Sequence, residues 1–332
     1  MSPILSQIFN NLNKKTNSTI CRHIDGSLFF DFQNRVKFCP YYDCAVSEEN
    51  LDGIWLDIDK TEQKRQELRI NKLEKCQNCN FFEAPDKQNL PPIKTLYLAN
   101  WHFCYVNCTY CKYPKQEDLI QAGHYDVFPF VKELTDKKLV TPKTKIVFDC
   151  GDACVHPEFD KIMFYFLNND FKNIEVNTSA QRFCESVAQG IAKNTTKVIV
   201  SFDCGCQYIY HRIKQINKFD IAVNNIKKYL KYQMPSQKNV ILKYTIIQGI
   251  NDNKKEPLDL FIFARDLGVN KLIFDIEEGF YERSLNYVPQ HIREIMEFIK
   301  KISSYNAYDI EFAPRLKVLF KKLQHIKKAE LK

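Results

Sequence analysis

Residues 103–111, FCYVNCTYC, place three cysteines and two tyrosines in nine positions. Sulfur ligands spaced C-x3-C-x2-C, at Cys104, Cys108 and Cys111, have three chemical uses. They can be part of a disulfide framework, part of a zinc site, or the thiolate set of an iron–sulfur cluster. A structural zinc site takes four ligands, usually as two pairs from separate segments, so three cysteines on one loop suit it poorly. A four-iron cube held by only three thiolates keeps one iron open, and an open coordination position is where a small molecule binds.

The rest of the chain narrows these uses. With 332 residues it can build one large domain and a smaller one, and 45% apolar with 27% charged residues is a soluble globular composition. There are nine glycines and no two sit two residues apart, which excludes the dinucleotide-binding G-x-G-x-x-G turn; no G-x-x-x-x-G-K-[ST] phosphate loop is present either. The start, MSPILSQIFNNLNKK, lacks the basic, apolar and small-residue pattern of a secretory signal. No apolar run approaches the roughly 18 residues of a membrane span. A cytoplasmic protein without a membrane partner is therefore expected. Thiols stay reduced in that compartment, so 13 cysteines argue for metal or redox chemistry rather than a disulfide framework.

The trio must be positioned by regular elements, and from residue 94 onward strand and helix signals alternate. Strand-like runs are KTLYLANW (94–101), KIVFDC (145–150), NIEVNT (173–178), KVIVSFDC (197–204), VILKYTII (240–247) and KLIFDIEE (271–278). Helix-like segments separate them: VFPFVKELTDKKL, EFDKIMFYFLNN, ESVAQGIAKN, FDIAVNNIKKYLKY and PLDLFIFARDLG, the last ending on Gly268 as a C-cap, and a sixth, PQHIREIMEFIKKISSY, follows the last strand. Six β-then-α units imply an α/β fold with a parallel sheet, either doubly wound or closing towards a barrel. Ligands of such sheets bind at the carboxyl ends of the strands. The cysteine trio follows the first strand, CGD ends the second and SFDC ends the fourth, so the candidate chemistry converges on one mouth.

On these features the chain resembles the radical S-adenosylmethionine (SAM) superfamily, whose signature is a C-x3-C-x2-C loop after the first strand of a six-unit partial barrel. The resemblance covers residues 94–280 and implies a partial (β/α)6 radical SAM barrel. It implies that Cys104, Cys108 and Cys111 hold a [4Fe-4S] cluster whose open iron chelates SAM. An electron from the reduced cluster then cleaves the sulfonium, and the resulting 5′-deoxyadenosyl radical abstracts hydrogen from substrate. Tyr110, just before the third cysteine, takes the place of an adenine neighbour. Gly151 and Asp152 in CGDACVHPEF match the family's glycine-rich acidic motif for the methionine amine. The match departs from the usual pattern in Cys150, Ala153 and an Asp for Glu, which shortens the acceptor's reach. Ser201 and Asp203 in SFD correspond to the polar strand end for ribose and carboxylate, and Asn177 is a candidate of the same kind. In IIQGIND, Ile247 and Gly249 correspond to the segment along the adenine. A flavodoxin- or ferredoxin-type electron donor is the implied partner.

Residues 1–90 form a small cysteine-rich α+β module, 94–285 the core barrel and 286–332 a C-terminal helical segment, with NLPPI (89–93) as the linker. The first block holds Cys21, Cys39, Cys44, Cys76 and Cys79 and resembles the SPASM or twitch auxiliary modules of radical SAM maturases. That likeness implies a second [4Fe-4S] cluster on Cys21, Cys39, Cys76 and Cys79. In those modules the block usually follows the barrel, whereas here it precedes it. A zinc ribbon from Cys39, Cys44, Cys76 and Cys79 is the alternative.

Cys150 and Cys204 end strands, where a thiol can donate hydrogen to a substrate radical. Strand alternation turns Lys243, Asp275 and Glu277 inward, to bind SAM or substrate or to form a buried ion pair. His156 is read as shaping a turn. The expected activity is that of a radical SAM oxidoreductase or maturase acting on a peptide, a protein or a sugar-type metabolite. The competing reading is a non-catalytic iron–sulfur or zinc protein that binds nucleic acid through residues 315–332, an amphipathic segment with seven Lys or Arg against one Glu. A nucleic-acid surface has no use for Asp152 and Asp203, and nucleic acid is not the expected partner.

Overall fold

The computed structural model describes residues 20–21, 26–31, 36–38, 82–83, 93–101, 103–111, 126–284, 288–305 and 308–330. Cys39, Cys44, Cys76 and Cys79, and with them the auxiliary-cluster and zinc-ribbon expectations, lie outside these residues. In chain order the strands are β1 (Ile20–Cys21), β2 (Ser27–Asp31), β3 (Val36–Lys37), β4 (Phe82–Glu83), β5 (Thr95–Ala99), β6 (Lys145–Phe148), β7 (Ile174–Thr178), β8 (Thr196–Ser201), β9 (Val240–Ile246), β10 (Lys271–Ile276) and β11 (Asp309–Phe312). The helices are α1 (Phe128–Asp136), α2 (Phe159–Asn168), α3 (Glu185–Ala192), α4 (Gln207–Lys214), α5 (Phe219–Leu230), α6 (Lys255–Leu267), α7 (Glu278–Ser284), α8 (Gln290–Tyr305) and α9 (Pro314–Glu330).

Among the described residues one sheet has nine strands, in the order β11-β10-β9-β8-β7-β6-β5-β2-β3, and a separate ladder pairs β1 with β4. Every neighbouring pair in the large sheet is parallel except β2–β3. From β5 to β11 the strands lie side by side in chain order, without the reversal that makes a switch point in a doubly wound sheet. That succession is the one a barrel uses, left unclosed here.

Register explains the two faces of the sheet. Leu96, Leu98, Ile146, Phe148, Ile174, Val176, Val198, Val200, Leu242, Tyr244, Leu272 and Phe274 alternate along paired strands, and none is more than 3% exposed. They share one core with Phe130, Phe166, Ile191, Ile226 and Leu260 of the helices. Side chains alternate in direction along a strand, so Tyr97, Glu175, Asn177, Ser201, Lys243, Thr245 and Asp275 fall on the other face. That face carries polar groups among Val147, Ile199 and Ile241, with ion pairs at Lys145–Glu175 (2.7 Å) and Lys243–Asp275 (3.1 Å).

The six strand runs and six helix segments of the sequence reading correspond to β5–β10 and to α1, α2, α3, α5, α6 and α8. Gly268 closes α6 at φ 82°, a left-handed C-cap that glycine adopts without steric cost. Three further elements extend the sheet or the site. β2 (SLFFD, before the linker) joins the large sheet in parallel with β5. β11 in the C-terminal segment pairs in parallel with β10. α4 follows β8 directly and, as shown next, carries part of the site. α9 packs Leu316, Leu319 and Leu323 inward, with the Phe320 ring 4.7 Å from Phe312, while Lys317 and Lys321 are exposed.

Candidate active site

The cysteine loop leaves β5 at Asn100 and is fastened on two sides. The Phe103 carbonyl accepts a hydrogen bond from the Asp152 N–H (3.0 Å), just past β6. The N–H groups of Asn107 and Thr109 donate to the carbonyls of Lys214 and Ile213, each at 2.9 Å. Those carbonyls belong to the last turn of α4, whose C=O groups have no partner within the helix. The loop therefore caps α4, and α4 fixes the loop. A turn from Cys111 N–H to the Cys108 carbonyl (3.0 Å) brings the last two cysteines round.

Cys104 and Cys108 are half-buried and Cys111 is exposed. Burial pushes the Cys104 thiol up to about 12, and the nearby Asp152 carboxylate adds to the rise. Burial also raises the Cys108 thiol, against the pull of the nearby Lys214 ammonium. Metal ligation must displace the protons of both. Among the described residues no three His, Cys, Asp or Glu side chains gather into a site for one metal ion. Three thiols spread along one loop suit three corners of a cube. Consecutive sulfurs interact electrostatically and a buried cation stands beside them. Donor type and charge both fit a three-thiolate [4Fe-4S] cluster.

Asp152 is fully buried. Its Oδ1 accepts from Thr178 Oγ1 (2.8 Å) and Cys154 N (3.2 Å), and its Oδ2 from Ser179 N (3.0 Å) and Ser179 Oγ. Burial pushes the carboxyl above its ordinary value, and these four donors oppose that rise. Each oxygen accepts from two donors, so the carboxylate braces the ends of β6 and β7. Just before it, Cys150 and Gly151 take left-handed backbone, at φ 63° and 56°. The cysteine has no glycine-like freedom there, and such a conformation costs about 1 kcal/mol or more.

Asp203, two residues beyond β8 and also left-handed (φ 65°), is equally buried. Its Oδ2 accepts from Lys214 Nζ (2.5 Å) and the Tyr110 hydroxyl (2.7 Å), and its Oδ1 from Thr245 N (2.7 Å). Burial pushes this carboxyl up, but Lys214, Tyr110 and the Thr245 N–H outweigh it and hold it below the usual range. Tyr110 and Asp203, expected at adenine and ribose, are thus bonded to each other.

Asn251 ties the next loop to the same point. Its Nδ2 donates to the carbonyls of Asp203 and Thr245, both at 2.9 Å, and its Oδ1 accepts from Ile247 N (2.7 Å). Ile247 is buried, and Gly249 turns at φ 75° with nothing near its missing Cβ. Ser201 and Asn177 are half-buried on the polar face. Asn177 Nδ2 donates to the Phe148 carbonyl (3.3 Å), and Ser201 is in register with Lys243.

The inward charges resolve into an ion pair and a cap. Asp275 bonds Lys243 (3.1 Å) and Arg315 (3.5 Å), while Glu277 accepts from the N–H groups of Gly279 (3.0 Å) and Phe280 (3.1 Å) at the start of α7. His156 Nδ1 accepts from Glu158 N (2.9 Å), the turn role read from its sequence. Lys214, Thr178, Ser179 and Asn251 were not singled out from the sequence. Ile209, Tyr210, Ile213 and Lys214 form the buried side of α4. That i, i+1, i+4, i+5 spacing is the signal that places a lysine among core positions.

No family model and no curated protein sequence matches the chain. Solved structures do. SuiB of Streptococcus suis bound to precursor peptide SuiA matches with TM-score 0.50 at 10% identity, over 87% of this chain and 71% of that one. The same protein bound to S-adenosylmethionine matches at 0.49 and 11%, over 77% of this chain and 55% of that one. Native anSMEcpe with bound AdoMet matches at 0.49 and 14%, covering 65% and 63%. A radical SAM methyltransferase from Sphaerobacter thermophilus matches at 0.40 and 14%, covering 64% of each chain. This chain therefore spans between 55% and 71% of the length of these matches. At such identities the likeness is one of fold: the chain shares with SuiB an unclosed, mostly parallel α/β sheet.

Proposed function

We propose that this chain is a radical SAM enzyme in which Cys104, Cys108 and Cys111 hold a [4Fe-4S] cluster and SAM occupies the mouth formed by the ends of β5–β9. The observation that carries the reading is the cysteine loop itself. Its spacing leaves one iron open, and it is fastened to the β6 end through Phe103 and to the β8 end through Tyr110 and α4. When bound, the cluster supplies the electron that cleaves SAM to methionine and the 5′-deoxyadenosyl radical. The chain's own part is to hold the loop, shape the mouth and present substrate on the polar sheet face. Asn177, Ser201 and Lys243 lie on that face, with the Ile247–Gly249 turn beside it. The acids Asp152 and Asp203 act as braces.

A peptide or protein is the substrate class we place first, supported by the fold shared with a protein solved bound to its precursor peptide. A sugar-type metabolite is the alternative. We also propose an auxiliary [4Fe-4S] cluster on Cys21, Cys39, Cys76 and Cys79. The β1–β4 ladder supports it by pairing Cys21 with Phe82, three residues beyond Cys79. A flavodoxin- or ferredoxin-type donor in the cytoplasm completes the proposal. No described helix is long and apolar enough to cross a membrane.

The test is anaerobic reconstitution, followed by dithionite reduction with SAM and chromatography for 5′-deoxyadenosine. The expected result is 5′-deoxyadenosine from the full chain and none from Cys104→Ala, Cys108→Ala or Cys111→Ala. A reconstituted chain that binds SAM and forms no 5′-deoxyadenosine rejects the reading. Iron, sulfide and zinc analysis separates two clusters from one cluster with a zinc ion.

A further inference from the structure

Among the described residues, Lys214 is the one fully buried lysine. Its side chain is 1% exposed. The ammonium sits 2.5 Å from Asp203 Oδ2 and 5.7 Å from the centre of the Tyr110 ring, two residues beyond Cys108, and its charge acts on the Cys108 thiol. Its carbonyl accepts from the N–H of Asn107, the residue before Cys108. The same lysine thus meets the cysteine loop through both its backbone and its side chain.

A buried ion pair is weak grounds for stability, because well-packed apolar residues of similar volume often serve a fold as well or better. The position of this pair points to a different use. Hydrogen bonds to ligand sulfurs and the net charge around a cluster are what set its reduction potential. A cation beside a thiolate favours the reduced, more negative state, and a carboxylate behind the cation weakens that effect.

We propose that Lys214 is a positioning residue for the cluster: buried against Asp203 and the Tyr110 ring beside the cysteine loop, its ammonium acts on the ligand thiolates and raises the cluster's reduction potential. Asp203 sets how much of that charge the cluster feels. The inference rests on the reading of Cys108 as a cluster ligand.

The experiment uses the full chain, reconstituted anaerobically, with iron counted per chain and the midpoint potential taken from a redox titration followed by electron paramagnetic resonance. The signal followed is the one that Cys108→Ala removes. Lys214→Met is expected to make reduction at least tenfold less favourable, which is 59 mV for a one-electron couple. Lys214→Arg keeps the charge and is expected to stay within threefold of the parent. Asp203→Asn unmasks the lysine and is expected to shift the potential in the opposite direction. A merely structural role gives no such reversal of sign.

Lys214→Met with full iron and an unchanged potential overturns the inference, as do shifts of the same sign in Lys214→Met and Asp203→Asn. Where Lys214→Met does not fold or take up iron, Asp203→Asn decides: an upward shift supports the inference and no shift overturns it. Failure of the underlying reading is distinguished earlier, because the parent chain then shows no signal that depends on Cys108.

Discussion

Replacing Asp152 separates the two roles that its position allows. In the structure its carboxylate carries two buried backbone N–H groups, from Cys154 and Ser179, and two hydroxyls, from Thr178 and Ser179. The hydroxyls can rotate to other acceptors; the N–H groups cannot. Asp152→Ala orphans both N–H groups, at about 1–3 kcal/mol each, so a loss of about 2–6 kcal/mol is expected. Asp152→Asn keeps one oxygen and orphans one N–H, so its expected loss is about half as large. Urea denaturation read by tryptophan fluorescence and far-UV circular dichroism measures both, with a shifted midpoint and an unchanged slope. SAM affinity of the reconstituted protein is measured alongside. A brace gives graded destabilisation, Ala beyond Asn, with iron retention falling in the same order because Asp152 N–H holds the Phe103 carbonyl. A direct ligand of the methionine amine gives the reverse pattern, with unchanged stability and lost SAM affinity in Asp152→Asn. That pattern, or a loss below about 1 kcal/mol in Asp152→Ala, refutes the bracing role.

Other consequences follow from the same geometry. Tyr110→Phe removes one of three donors to the buried Asp203 carboxylate and is expected to lower stability by about 1–2 kcal/mol in the same urea assay. Asp203 is held below its ordinary value, so its contribution is present above about pH 4 and is lost as pH falls through the folded value; Lys214 is held above its own, so its contribution persists to about pH 10 and is lost above that. The double variant Asp203→Asn with Lys214→Met is therefore expected to show flatter acid and alkaline limbs in a plot of unfolding free energy against pH. Gly205→Ala places a Cβ 2.2 Å from the Asp259 carbonyl carbon and 2.4 Å from Leu260 N, both backbone atoms of α6, and is expected to cost about 3 kcal/mol in thermal or urea unfolding.

The six strands from β5 to β10 were legible because each is a short β-branched or aromatic run bounded by polar turns, and their parallel pairing followed from the helices between them. The choice between a doubly wound and a barrel-like sheet was not legible in the strand pattern, since it depends on which strands become neighbours; the resemblance carried by the cysteine loop made it, and the chain-order sheet bears it out. α4 escaped detection because QYIYHRIK is short, follows a strand with almost no linker, and carries only three apolar buried positions beside its lysine. β2 pairs with a strand more than sixty residues later, a partnership that no local pattern encodes. β11 is four residues long, too short for alternation to stand out from the helices around it. At the site, the acids at strand ends were visible as residue types, but their partners were not. Asp152 meets Thr178 and Ser179 across two strands, and Asp203 meets a lysine from the next helix.

Those partnerships change what the departures from the family pattern mean. An aspartate in place of glutamate looks, in the sequence, like a ligand with too short a reach. In the structure the short side chain is what lets both oxygens sit on the start of the 178–179 turn while the residue's own N–H holds the cysteine loop. A further methylene would push the carboxylate past those donors. Asp203 serves the same purpose on the opposite flank, with Tyr110 and Lys214 as the loop's attachments. The two acids hold the C-x3-C-x2-C loop between the ends of β6 and β8, each buried and each satisfied by its neighbours. Under the proposed function, contact with a cosubstrate is then expected from the half-buried groups on the sheet face opposite the core, Asn177, Ser201 and Lys243. These are side chains that the core does not consume.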